Sequence, residues 1–171
     1  MKARKASETL SVTTKVVLPN DTNTLDKLFG GQLMAWMDEI ASVSAHRHSR
    51  RVVVTAAVNN IVFKEPINNA AIVTLEAKVS RAFGSSMEVF IDVYVEDQVS
   101  GKRRKVNEAI YTFVAVDQNG GPIHVPDLIP ETDEEIKRYD GALRRRQLSL
   151  ILAGKMKAEE ASELKALFNQ I

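Results

Sequence analysis

The chain has 171 residues, 44% of them hydrophobic and 26% charged, with a formal net charge of +1; that is enough chain for one buried core, and the balance of charge gives no global pull toward nucleic acid. It contains no cysteine, which excludes disulfides, thiolate zinc sites and cysteine nucleophiles. Its three histidines, His46, His48 and His124, are too few for a metal cage, so no metal site is expected. No apolar run approaches the length of a membrane span, and the segment after the basic start Met1–Lys5 is too short and polar for a signal-peptide core. A cytoplasmic protein with neither nucleic acid nor membrane as a partner is expected.

Ser11 to Leu18 is short and β-branched and reads as a strand. The turn formers Pro19 to Asn23 break it. After Phe29-Gly30-Gly31, the segment Gln32 to His48 is rich in Leu, Met, Ala and Trp, with no Pro or Gly inside, and reads as a helix. Its apolar residues do not keep to one stripe, which is the pattern of a helix buried in the middle of a fold. Four strands follow. Arg51 to Phe63 is dense in valine, and Ala70 to Arg81, Met87 to Glu96 and Val106 to Val116 alternate. Turn chemistry at Asn68-Asn69, Gly84-Ser85 and Ser100-Gly101 makes them a meander. Phe90, Tyr94, Tyr111 and Phe113 are expected on the face away from the main apolar one, under a covering element or a second subunit. Thr132 and Glu135 form a capping box that starts a helix running to Leu152, and Lys157 to Asn169 reads as a last short helix. The highly charged tail is expected to be a solvated helical appendage.

One helix followed by an antiparallel meander defines an α+β fold, with a long central helix wrapped by a curved sheet. Such a sheet has edges, and pairing with a second copy is the expected remedy.

Several ordered pieces carry a resemblance. They are Pro19-Asn20-Asp21-Thr22-Asn23, Phe29-Gly30-Gly31 and Met37-Asp38-Glu39, then Val52 to Phe63, Lys64-Glu65-Pro66, Arg81 to Met87 and Asn107 to Asp117. Together they resemble the hotdog-fold acyl-CoA thioesterases, in the cytosolic acyl-CoA hydrolase branch. The resemblance implies a hotdog domain over residues 1–130 and a C-terminal helical extension over 131–171. It implies that Asp38 is the catalytic carboxylate, that Asn23 of the partner subunit faces it, and that Gly31 supplies a backbone N–H to the thioester carbonyl. Gly30, Thr55, Lys64, Arg81, Ser85 and Ser86 are the implied substrate-binding residues. Coenzyme A enters as part of the substrate, and no separate cofactor is implied. One departure is Leu25-Asp26, where the family commonly has glycine or asparagine.

The chemistry suits these residue types. A carboxylate in apolar surroundings serves as general base or attacks directly. A helix that begins at two glycines leaves free N–H groups open to a developing oxyanion. Each piece alone has a plainer reading: Asn23 as a turn residue, Gly30-Gly31 as a turn, Asp38 as a buried hydrogen-bonding group. Two other functions are weighed against hydrolysis. A hotdog hydratase needs a histidine near the carboxylate, and none lies near Asn23 or Gly31 in the sequence. A non-catalytic acyl-CoA-sensing module would lack the acidic residue. Association to a dimer is expected, and the outer-face aromatics favour a trimer of dimers.

Overall fold

A computed structural model describes residues 1–168, with the backbone alone at position 60. The chain runs through β1 (Arg4–Lys5), β2 (Ser11–Val16), α1 (Gly30–Ser49), β3 (Val52–Phe63), β4 (Ile72–Phe83), β5 (Ser86–Glu96), β6 (Arg103–Val116), β7 (Leu128–Ile129), α2 (Asp133–Leu152) and α3 (Ser162–Phe168). The predicted last helix began at Lys157; its final residue, Asn169, lies outside the described residues. Strands β2 to β6 form one antiparallel sheet in the order β2-β4-β5-β6-β3. A two-residue parallel bridge joins β1 to β7.

The sheet curls around α1, which touches every one of its strands. Residues of α1 at helical spacing, Leu33, Met37, Ile40, Ala41, Ser44, Ala45 and His48, are buried against it. The sheet answers with alternate residues: Val73, Leu75, Ala77 and Val79 of β4, Met87, Val89, Ile91 and Val93 of β5, and Ala109, Tyr111, Phe113 and Ala115 of β6. The helix is therefore amphipathic in this chain. Met34 and Val43 lie exposed on its far side, which the sequence pattern did not separate from the core face. At its end Arg50 takes a left-handed conformation (φ 56°) and donates its N–H to His46 O at 2.7 Å, closing the helix. His48 is fully buried, its Nε2 paired with Pro126 O at 2.7 Å, and burial pushes its pKa down. The helix dipole would favour a cation at this end, but the buried imidazole has no solvent to charge into.

Two further expectations are corrected. Tyr111 and Phe113 do not face outward. Both are 1% exposed in the core, stacked with ring centroids 6.4 Å apart. Their β6 neighbour of opposite parity, Ile110, pairs with Phe90 on the outer face, so apolar residues on both faces had made the parity ambiguous. The tail is not a solvated appendage either. Helix α2 starts at the predicted capping box, with Glu135 N–H donating to Thr132 Oγ1 at 3.2 Å. It then lies on the outer face of the sheet, burying Glu135, Gly141, Ala142 and Gln147. Phe90, on that face as expected, is covered by Arg138 with its guanidinium 3.9 Å from the ring centre. The cover for the outer aromatics is thus within the chain, and they give no argument for a trimer of dimers.

Strand β3 stands out. It is an edge strand of 12 residues, and Val52, Val54, Val58, Val62 and Phe63 are all exposed.

Candidate active site

Helix α1 presents two chemical groups on one stripe. Gly31 and Asp38 are seven residues apart, almost two turns, so they share a face about 10 Å apart along the axis. Met34 and Ala35 lie between them and are exposed. Asp38 is half-buried at the side of the helix nearest β3. Its Oδ1 accepts from Thr55 Oγ1 at 2.7 Å. A β-bulge between Thr55 and Ala57 turns the strand at this point.

The helix start is bare. Phe29 precedes it with extended backbone, and no side chain caps it. The N–H groups of the first turn therefore face outward without intrahelical partners. A side chain at Gly31 would displace the Phe29 ring, whereas one at Gly30 would only come into contact with Phe63. A Cβ at Gly31 would stand 2.6 Å from Phe29 Cε1, and one at Gly30 would meet Phe63 Cζ at 3.4 Å. Two aromatic rings thus flank an uncapped positive helix end.

The loop before the helix is shaped by Asn23. Its Oδ1 accepts from Leu25 N at 2.9 Å and Lys27 N at 3.2 Å, and its backbone N–H donates to Lys27 O at 2.7 Å. With the oxygen committed to two N–H groups, the side chain has its –NH2 left to offer. Asp26 closes the loop in the left-handed region (φ 55°). This explains the departure at Leu25-Asp26: the position favours glycine or asparagine, and aspartate tolerates it. Asn23, Gly30, Leu33, Phe63 and Asn107 line an open groove of about 370 Å³. Asp38 does not line it. Within one protomer the structure brings Asn23 together with Gly30, and Asp38 together with Thr55, but not the two pairs to each other.

The remaining residues separate. Lys64 is exposed at the end of β3, 3.4 Å from Glu108. Ser85 lies at the β4–β5 turn, half-buried, with its carbonyl accepting from Ala115 N. Gly84 beside it needs its positive φ of 62°. Arg81 and Ser86 belong to the outer face. The Arg81 guanidinium stacks on Tyr139 at 4.0 Å and donates to Tyr139 O at 3.1 Å, and Ser86 Oγ accepts from Arg146 at 2.9 Å. In this protomer those two side chains hold α2. Sequence reasoning missed Tyr111, whose hydroxyl reaches α1 (below). A tyrosine among apolar inward residues was the available signal. Among the described residues, no cluster of three or more histidine or acidic side chains suits a metal, and no helix is long and apolar enough to cross a membrane.

Known proteins match this arrangement. The profile of the thioesterase superfamily covers residues 26–102. The uncharacterized acyl-CoA thioester hydrolase YkhA of Bacillus subtilis (strain 168) is 44% identical over 142 residues, 83% of either chain. An acyl-CoA hydrolase from Staphylococcus aureus is 36% identical, with a TM-score of 0.84 over 91% of this chain and 96% of that one. That enzyme has been solved with butyryl coenzyme A, coenzyme A and coenzyme A disulfide. It has also been solved with an aspartate, a threonine or an asparagine replaced by alanine. An apo-hexameric acyl-CoA thioesterase is 34% identical, with a TM-score of 0.86 over 90% of this chain and 98% of its own. The chain belongs to the thioesterase superfamily and has its hotdog fold, in the branch of the acyl-CoA thioester hydrolases.

Proposed function

We propose that this protein hydrolyses the thioester of fatty acyl-CoA to free acid and coenzyme A, in a site completed by a second copy of the chain. The observation that carries this reading is the stripe on α1. Gly31 and Asp38 share an exposed face but lie about 10 Å apart, too far to act on one carbonyl. A two-fold pairing of α1 with its copy, antiparallel and centred near Met34 and Ala35, sets Asp38 of one chain against Gly31 and Asn23 of the other. The same pairing covers the exposed valines of β3, a long apolar edge that a soluble chain does not leave open.

In that site Asp38 takes a proton from water, and the oxygen attacks the thioester carbon. The carbonyl oxygen becomes an oxyanion, met by the Gly31 N–H and by the Asn23 –NH2. The C–S bond then breaks and coenzyme A leaves as its thiol. Direct attack by Asp38 to give an anhydride, opened afterwards by water, uses the same residues. Each oxyanion donor is worth about 3 kcal/mol where such donors have been removed. Thr55 fixes the rotamer of Asp38. Gly30 leaves room for the thioester between Phe29 and Phe63. Lys64, with the Ser85 turn, is the candidate for coenzyme A phosphates. The intervals support the assignment. In the Staphylococcus aureus enzyme the replaced asparagine and aspartate are 15 residues apart, and the aspartate and threonine 17. Asn23, Asp38 and Thr55 have the same spacing. Hexameric relatives support assembly beyond a dimer.

The hydratase alternative lacks its base: His46 and His48 sit at the far end of α1 and His124 in the loop before β7. The sensing-module alternative leaves Asp38 and its Thr55 tether without a purpose. The test is thiol release from short-, medium- and long-chain acyl-CoAs by the wild type, by Asn23→Ala and by Asp38→Ala. Each variant is expected to be inactive alone. Equal mixtures, after subunit exchange, are expected to recover about a quarter of wild-type activity, because half the random dimers carry one intact site. No recovery would place the two residues in one subunit's site. No thiol release by the wild type from any chain length would end the enzymatic reading.

A further inference from the structure

Beneath Asp38, two aromatic residues of β6 carry contacts that an ordinary core position does not need. The Tyr111 hydroxyl donates to Met34 O at 3.2 Å. That carbonyl lies four residues before Asp38, so in the helical ladder it is also the acceptor of the Asp38 N–H. A carbonyl oxygen has two lone pairs and serves both. Phe113 stacks on Tyr111 and sits directly opposite Thr55 in the β3–β6 pairing. Thr55 in turn donates to the Asp38 carboxylate. One stacked pair therefore reaches Asp38 by two routes, through the backbone turn that bears it and through the strand that holds its side chain. The surrounding inward residues of β5 and β6, Met87, Val89, Ala109 and Ala115, are apolar. Phenylalanine would fill the space of Tyr111 without the cost of desolvating a hydroxyl.

We infer that Tyr111 is a positioning residue: by tethering Met34 O to the sheet it fixes the depth and rotation of the Met34–Asp38 turn, and hence the direction of the Asp38 carboxylate. The inference rests on the reading of Asp38 as the catalytic carboxylate. Burial, with the charge of Asp38, pushes the Tyr111 hydroxyl up to about 12. It remains a donor at neutral pH and takes no proton from the attacking water. A displacement of about 1 Å in a reacting group can cost a factor of about 100.

The decisive variant is Tyr111→Phe, which keeps the ring stack and leaves Met34 O bonded within the helix. Its kcat is expected to fall by about ten-fold or more, with KM for the acyl-CoA little changed and the far-UV spectrum that of the wild type. In an Asp38→Asn background the same change is expected to cost nothing further, because nothing remains to be aimed. An unchanged kcat in Tyr111→Phe beside an Asp38→Asn enzyme reduced to low but measurable turnover overturns this inference alone. An equal loss in both backgrounds also overturns it, since that is general loosening of the core. Full activity of Asp38→Asn overturns both this inference and the reading beneath it. Phe113→Leu, which loosens the stack but keeps the hydroxyl, gives an independent arm. The expected result is a smaller kcat loss, again absent without Asp38; a loss that persists without Asp38 counts against the inference.

Discussion

The two faces of the sheet are built from alternate residues of the same strands, yet they are held by different physics. The inner face meets α1 through apolar side chains that are almost wholly buried, with side-chain hydrogen bonds to the helix from Thr55 and Tyr111 and a long Lys15–Glu39 pair at the rim. The outer face meets α2 through ion pairs: Arg145 with buried Glu88, Arg138 with Asp92 and Lys78 with Glu135. Cations also lie over Phe90, Phe83 and Tyr139. Among the described residues Asp38 forms no ion pair and accepts from Thr55 instead, whereas Glu88, Asp92 and Glu135 on the outer face are paired with arginines and a lysine. On the proposed function, the difference separates a group kept for chemistry from groups kept for docking a helix.

The largest expected effect tests that separation on the inner face. Asp38→Ala should lower kcat by about 10²- to 10⁴-fold, the range for losing a general base, while its melting temperature stays near that of the wild type. A comparable loss of stability would turn Asp38 into a docking group like the outer ones. On the outer face the expectation reverses. Arg145 makes two bonds to Glu88, 2.9 and 2.7 Å long, and Arg145→Ala leaves that carboxylate buried and unpaired. Because Arg145 is itself a third exposed, destabilisation of about 3 kcal/mol is expected, at the low end for a broken buried pair. Chemical denaturation measures it, and the pair Glu88→Met/Arg145→Met should regain most of the loss.

A smaller effect is read from pH. The pKa of buried His48 is lowered below its ordinary 6.5, so the unfolded chain binds the proton more readily. Its contribution to stability is present above pH 6.5 and is lost as pH falls below it toward the folded value. The melting temperature should decline between pH 7 and 5, and His48→Gln should flatten that slope. The smallest effect is at the rim of the outer face. Arg103, paired with Glu76 at 2.8 Å but half exposed, should cost less than about 1 kcal/mol when changed to alanine. A loss equal to that of Arg145 would show that burial does not grade these pairs.

The sequence by itself marked the elements and the candidate site residues. Hydrophobic period marks α1 and the meander because a buried face must recur at 3.6 or 2 residues. The Thr132–Glu135 box starts α2 because a helix end leaves N–H groups to be capped. Asn23, Gly30-Gly31 and Asp38 are legible as an ordered set. Tertiary structure alone decided the parity of β6, since Tyr111 and Phe113 alternate with residues as apolar as themselves. It alone decided that the charged tail covers the outer face. A helix rich in arginine reads as solvated until Glu88, Asp92 and the ring faces appear beneath it, and those partners are about 40 to 60 residues distant in the chain. The split of the candidate site into Asn23 with Gly30 and Asp38 with Thr55 is likewise a matter of where a rigid helix puts two residues that lie two turns apart. The motif alone does not record that distance, because it is set by the rise of the helix that carries both residues.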